Sequence, residues 1–212
     1  MSQPEAVTVP AGAAAVFGAE FDRAVVYAGI LATRGVEWGV IGPREVPRLW
    51  DRHLMNCAVV AELVDSRCRT LADIGSGAGL PGVVLALVLP EVQVALIEPL
   101  ERRARFLTEC VSELELANAS VLRGRAEDVT KQVAADVVTA RAVAPLERLA
   151  PLAAGLARKR GMILAIKGSG AAEELERARP VLRRIGARSA EVLCVGHGKV
   201  SPATTVVWFF AR

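Results

Sequence analysis

No two cysteines in this chain have the spacing of a metal or redox motif. There are four, Cys57, Cys68, Cys110 and Cys194, and none forms a Cys-x-x-Cys pair. With only two histidines in the chain, no His/Cys cluster has the spacing of a zinc site. No metal is expected, and the cysteines read as small buried hydrophobes of a reducing cytosol. A membrane span is missing too. The longest uncharged run, between Asp73 and Glu91, is rich in Gly and Pro and slightly too short to cross a bilayer. The N-terminus lacks the charged region and apolar stretch of a signal peptide. A soluble, cytoplasmic protein with no membrane partner is expected. Neither sign of charge dominates: 26 Lys+Arg against 23 Asp+Glu give a formal net charge of +3. That balance permits an anionic partner such as RNA without requiring one.

What is present is a globular composition, 52% hydrophobic and 23% charged. A chain of 212 residues suggests one domain with an extension. Residues 1–65 read as an N-terminal helical extension. A loose tail over 1–12 precedes a helix over 13–33, where Phe17, Phe21, Val25 and Ala28 recur at helical spacing. A break over 35–43 holds Trp38, and a second helix is expected over 47–64. Residues 66–212 read as one α/β domain. Strands are expected over 71–74, 92–97, 120–122, 136–140, 161–166, 191–195 and 204–210. Helices are expected over 81–89, 101–114, 145–158 and 171–185, and Arg158-Lys-Arg160 reads as the basic C-terminus of the third. Alternating strands and helices mean a mostly parallel sheet covered on both faces. The final two strands are joined through Gly196-His-Gly-Lys-Val-Ser-Pro202, with no room for a helix. A parallel crossover needs a dozen or more residues, so the last strand should run antiparallel to its neighbour.

The string Asp73-Ile-Gly-Ser-Gly-Ala-Gly-Leu-Pro-Gly82 stands between the first strand and its helix. Its glycines let the backbone turn tightly and approach a ligand, and the helix that follows offers unpaired N–H groups. Gly77, Gly79 and Gly82 fit the dinucleotide fingerprint G-x-G-x-x-G, though so Gly-rich a run matches it easily. Gly75, Gly77 and Gly79 fit G-x-G-x-G with an acid two residues before, which resembles motif I of S-adenosylmethionine (SAM) methyltransferases. Asp73 favours SAM over a nicotinamide cofactor. A carboxylate suits a cationic ligand better than a pyrophosphate, and it either orders the loop or meets the SAM ammonium. A tight turn holding no ligand is the third reading. Glu98, ending the next strand, can accept both ribose hydroxyls of an adenosine, whichever cofactor carries it. Ala126 and Glu127 follow the third strand and border the same crevice, where they could read the adenine edge or simply start a helix.

With these pieces in order, the chain resembles the RsmG (GidB) family of bacterial 16S ribosomal RNA guanine-N7 methyltransferases. The residues that carry the resemblance run from about Trp50 to Lys167: Arg52-His-Leu54, the loop 73–82, Arg103-Ala-Arg-Phe-Leu107, Arg125-Ala-Glu127, Thr139-Ala-Arg-Ala142 and Lys167-Gly168. Gly79-Leu-Pro-Gly82 is the most specific part. Where the family often has Asp-Ser, this chain has Asn56-Cys57. The resemblance implies a class I methyltransferase fold, whose reversed terminal strand agrees with the reading above. It also implies SAM as cofactor and methylation of one guanine N7 in small-subunit rRNA, within naked RNA or an assembled small subunit. Carried over by position, Gly75, Leu80, Ala126, Glu127 and Arg141 would contact the cofactor, and Asp73, Gly77 and Glu98 join them from the reading above.

Guanine N7 carries an in-plane lone pair and no proton, so its attack on a methyl group needs no general base. Alignment of nucleophile, methyl and sulfur is what remains to be supplied. Arg141 and Lys167 end consecutive strands and are the candidate catalytic residues, though each could instead be a structural ion pair. Arg normally reads guanine through O6 and N7 together, a mode that would block the nucleophile here. RNA contacts are expected from Arg44, Arg48, Arg52, His53, Arg123, Arg125 and Lys199, with Trp50 either stacking on a base or packing the second helix onto the sheet. A small-molecule methyltransferase, a nicotinamide-dependent oxidoreductase and a SAM-binding RNA chaperone are the competing functions. A monomer is compatible with all of these.

Overall fold

Seven apolar stretches pair into one sheet in the computed structural model, which describes residues 8–212. The strands are β1 (Thr70–Ile74), β2 (Gln93–Glu98), β3 (Ala119–Arg123), β4 (Ala135–Arg141), β5 (Ala157–Lys167), β6 (Arg188–Val195) and β7 (Thr204–Phe210). Their order across the sheet is β3-β2-β1-β4-β5-β7-β6. β7 lies between β5 and β6 and is antiparallel to both, as the short final connection requires. The other neighbouring strands pair in parallel. The carboxyl ends of β1 to β6 therefore share one edge, with the order reversing between β1 and β4.

Side chains alternate across this sheet into two cores. Leu71, Val94, Leu96 and Val137 enter one, while Ala72, Ile74, Ile97 and Val138 enter the other. The second core is closed by α6 (Leu146–Leu156) and α7 (Ala171–Arg184). The first is closed by α4 (Gly82–Val88), α5 (Glu101–Glu113) and the N-terminal segment together. Tyr27, Leu31, Leu49, Trp50 and Leu54 bury in the same cluster as Leu85, Phe106 and Leu107. Residues 8–65 are thus a layer of the fold.

That layer is less regular than its periodicity suggests. The helix expected over 13–33 is α1 (Ala13–Phe17) and α2 (Phe21–Ile30), separated by a 3-10 turn at Gly18–Glu20 and ended by a π turn at Leu31–Gly35. Gly18 has φ +55°, a left-handed conformation that breaks the first turn from the second. The helix expected over 47–64 starts earlier and changes pitch. A 3-10 stretch at Pro43–Arg48 leads to a π turn at Leu49–Leu54, a single turn of α3 (Met55–Ala58) and another 3-10 stretch at Val59–Leu63. Pro47 has no N–H to give an α-helical ladder. Trp50 is 2% exposed, with Phe17 edge-on to its ring at 5.8 Å and Phe21 tilted against it at 6.2 Å. It packs the core and has no free face for a base. The tail read over 1–12 lies outside the described residues up to residue 7.

A second correction concerns Arg158-Lys159-Arg160. α6 ends at Leu156, and these residues open β5. Ala135 pairs with Ala157 but Val137 pairs with Met162, so β5 bulges outward by three residues. The Asp136 carboxylate draws Arg158 into the strand, with Arg158 Nε 2.6 Å from Oδ1. Among the described residues, no helix is long and apolar enough to cross a membrane.

Candidate active site

The loop after β1 is built over a buried carboxylate. Asp73 and Thr139 are register partners on β1 and β4, and Thr139 Oγ1 donates to Asp73 Oδ1 at 3.1 Å. Asp73 Oδ2 accepts the Gly82 N–H at 3.1 Å, which pins the start of α4. The Asp73 carbonyl accepts the Ser76 hydroxyl at 3.0 Å. Burial raises the Asp73 carboxyl to about 7, against the downward pull of its hydrogen bonds to Ser76, Thr139 and Gly82. Fully buried, Asp73 orders the loop and does not present itself to a ligand. Gly75, Gly77 and Gly79 all have positive φ. At Gly79 a Cβ would also lie 2.5 Å from the Tyr27 hydroxyl and from Val83 Cγ2. The chain therefore has no room there for any other residue.

Glu98 closes the loop from β2. Its Oε2 accepts the Gly77 N–H at 2.9 Å and its Oε1 accepts the Leu100 N–H at 2.9 Å. A carboxylate has about four acceptor positions, so two remain unfilled on this residue, which is 2% exposed. Two apolar residues stand exposed beside it: Leu100, 54% exposed, after β2, and Val143, 39% exposed, after β4. The place where a Gly75 Cβ would sit is 2.9 Å from Val143 Cγ2. Ala126 is buried in a short 3-10 turn at Ala126–Asp128, and the Glu127 side chain is exposed there. Acceptors for a diol and apolar surfaces for a ring are the chemistry an adenosine needs. These residues fit SAM.

Arg141, at the end of β4, turns toward the N-terminal layer. Its Nη2 donates to His53 Nδ1 at 2.7 Å and to the Arg52 carbonyl at 3.2 Å, and Nη1 reaches Cys57 Sγ at 3.2 Å. His53 Nε2 lies 2.8 Å from Glu45 Oε2. The geometry assigns the neutral tautomer: Nδ1 accepts from Arg141 and Nε2–H donates to Glu45. Burial lowers the His53 pKa first, the Arg141 guanidinium lowers it further, and Glu45 pulls it back. Glu45 is itself held below the usual carboxylate range by that hydrogen bond.

A family model described as rRNA small subunit methyltransferase G, GidB, matches residues 21–201. The chain belongs to the GidB family. The ribosomal RNA small subunit methyltransferase G of Thermobifida fusca (strain YX) is 56% identical over 200 residues, covering 94% of this chain and 84% of its own length. The protein of that name from Streptomyces coelicolor is 54% identical, covering 94% and 83%. Among solved structures, M. jannaschii TYW2 in complex with AdoMet aligns with a TM-score of 0.58 at 19% identity, covering 77% of this chain and 78% of that one. Precorrin-6y C5,15-methyltransferase from Geobacter metallireducens aligns with a TM-score of 0.57 at 16% identity, covering 82% and 91%. At such identities the likeness is one of fold, the class I SAM-methyltransferase fold.

In this GidB chain the residues read as cofactor-binding lie along the carboxyl edge of the sheet, after the ends of β1, β2, β3 and β4. The others lie around them. Lys167 Nζ donates to the Ala144 carbonyl at 2.9 Å and to Glu174 Oε1 at 2.7 Å, which also accepts the Leu146 N–H at 2.6 Å. It clamps the turn between β4 and α6. Arg52 lies 3.6 Å from Glu45, Arg123 3.1 Å from Glu101 and Lys199 2.8 Å from Glu62. These three cations are each paired with a carboxylate, Glu45 being shared with His53, while Arg44, Arg48 and Arg125 form no ion pair among the described residues. Sequence reading missed Glu45, Leu100, Val143 and the role of Cys57. Leu100 was within reach, as an apolar residue two places after a strand-end acid; Glu45 was not, because only the irregular path of residues 43–54 brings it to His53. Among the described residues no cluster of three or more His, Cys, Asp or Glu could hold a metal.

Proposed function

We propose that this chain transfers the methyl group of SAM to N7 of a guanine in small-subunit ribosomal RNA. SAM supplies an electrophilic methyl on a positively charged sulfur. Glu98 would accept the ribose hydroxyls. Ala126 and Glu127 would meet the adenine, and Gly75, Gly77 and Leu80 would line the cofactor's path over the loop that Asp73 holds.

The observation that carries the N7 reading is the state of His53. Both its ring nitrogens are already in hydrogen bonds, so the imidazole has no free position from which to take a proton. An exocyclic amine acceptor would need such a base, whereas N7 does not. Of the five N–H groups of Arg141, three are used by Cys57, Arg52 and His53, leaving two. Arg141 would use these on guanine O6 or on the cofactor and leave N7 open. Lys167 would act by holding the turn after β4. Arg52, Arg123 and Lys199 would orient RNA at the rim, and His53 would serve the RNA site through Arg141.

The test is a map of N7-methylguanines in small-subunit rRNA from cells with and without the protein, beside transfer of labelled methyl from SAM in vitro. One guanine should lose its mark; an unchanged map sinks the assignment. Arg141→Ala should lower kcat at least about a hundredfold, the scale of losing a positioned donor, with the fold intact. Wild-type turnover in that variant refutes a site role for Arg141.

A further inference from the structure

The bulge at the start of β5 sits at the amino edge of the sheet, opposite the loop and Glu98. It pushes Arg158, Lys159 and Arg160 into solvent, and Arg160 takes φ +61°, a conformation uncommon for a residue with a side chain. α7 ends at the same edge with Arg183 and Arg184, both exposed. β6 begins there with Arg188, exposed as well. Phe210 pairs with Met162 on one side and Arg188 on the other, so Arg188 stands two strands, about 10 Å, from β5.

Of the cations read as RNA contacts at the rim of the active site, Arg44, Arg48 and Arg125 are exposed and form no ion pair among the described residues, and the other three are paired. Arg52, Arg123 and Lys199 are each neutralised by a carboxylate. At the amino edge Arg158 pairs with Asp136, but Lys159, Arg160, Arg183, Arg184 and Arg188 form no ion pair among the described residues. Unpaired, exposed cations release counterions when they meet phosphates, which is where salt-dependent affinity for nucleic acid originates.

We infer that the amino edge of the sheet, from Lys159 through Arg184 to Arg188, is a second RNA-binding surface that holds a phosphate backbone remote from the methylated base. The inference rests on the rRNA substrate proposed above. The two edges are roughly 20 Å apart along β5. An RNA that contacts both must cover that distance along the surface of the protein. The substrate class is therefore a region of small-subunit rRNA long enough to do so.

The experiment uses the full chain with Lys159, Arg183, Arg184 and Arg188 all changed to Gln, leaving the strained Arg160 in place. Dissociation constants for protein-free small-subunit rRNA and for small subunits are measured across a salt series. Losing four phosphate contacts should make the log–log salt slope shallower by about 3, with affinity at low salt reduced tenfold or more. SAM affinity and melting temperature should match the wild type. An unchanged slope on both RNAs overturns the proposal. A loss confined to small subunits, with protein-free rRNA unaffected, also overturns it, because the patch then meets a ribosomal protein. Failure of the wild type to methylate rRNA would sink the proposed function instead, and the slopes remain readable in that case.

Discussion

Two residues show how much chemistry rides on single atoms here. Gly82 has an ordinary backbone, yet a Cβ on it would lie 2.3 Å from Leu96 Cδ2 and 2.6 Å from Asp73 Oδ2. Gly82→Ala must push α4 off the Asp73 carboxylate. A thermal melt should show a loss of about 2 kcal/mol, or about 6 °C for a chain of this size, with weakened SAM binding. His53 sets a pH dependence. Its folded pKa lies below the ordinary 6.5, so the unfolded chain takes up the proton first as pH falls. The stability it contributes is whole above about 6.5 and declines below, as the fold is forced to accept a charge. Denaturant midpoints at pH 7.5 and 5.5 should therefore diverge more for the wild type than for His53→Gln. Methyl transfer should fall on the same acid limb, because a protonated Nδ1 cannot accept from Arg141. In the sequence His53 could be seen as a candidate, but its partners could not: Glu45 and Arg141 reach it only after the chain has folded.

The strands were legible because parallel strands buried on both faces are nearly uninterrupted apolar runs, as at Val94-Ala-Leu-Ile97. The reversal of β7 was legible from loop length alone. The N-terminal helices were legible as apolar and periodic but not in their pitch, which Gly18 and Pro47 set against the packing around Trp50. The start of β5 was hidden because Arg158-Lys-Arg160 suits a helix terminus by composition, and only the Asp136 partner pulls it into the sheet. Between α6 and α7 the pairing of Lys167 with Glu174 left no trace in sequence, since nothing local marks residues seven apart across a turn. The two side chains are 11% and 15% exposed. Lys167→Met, which leaves the Glu174 charge uncompensated, should cost about 3 kcal/mol in chemical denaturation. Adding Glu174→Gln should recover part of it, because Gln removes that charge and still accepts the Leu146 N–H. No recovery would mean that the two groups are uncoupled.

At the scale of the whole chain, the boundary read at residue 65 separates sequence patterns and does not separate cores. The N-terminal layer shares one cluster with α4 and α5. A chain reduced to residues 66–212 should expose that apolar face and fail to give a cooperative melt, while binding a hydrophobic dye. A cooperative melt from that fragment would show that the methyltransferase domain folds alone.

One contact joins these scales. The Tyr27 hydroxyl, on α2, donates to the Ala78 carbonyl inside the glycine loop, and burial keeps its pKa well above the ordinary 10.0, so it stays a donor at any physiological pH. Whatever immobilises the loop is thereby thermodynamically linked to helix α2. A cofactor at a hundred times its Kd opposes global opening by about 2.7 kcal/mol. Amide hydrogen exchange along α2 should slow when SAM is added, although α2 contributes no side chain to the cofactor's path. Tyr27→Phe, which keeps the ring and removes the bond, should weaken that protection more than it weakens SAM affinity.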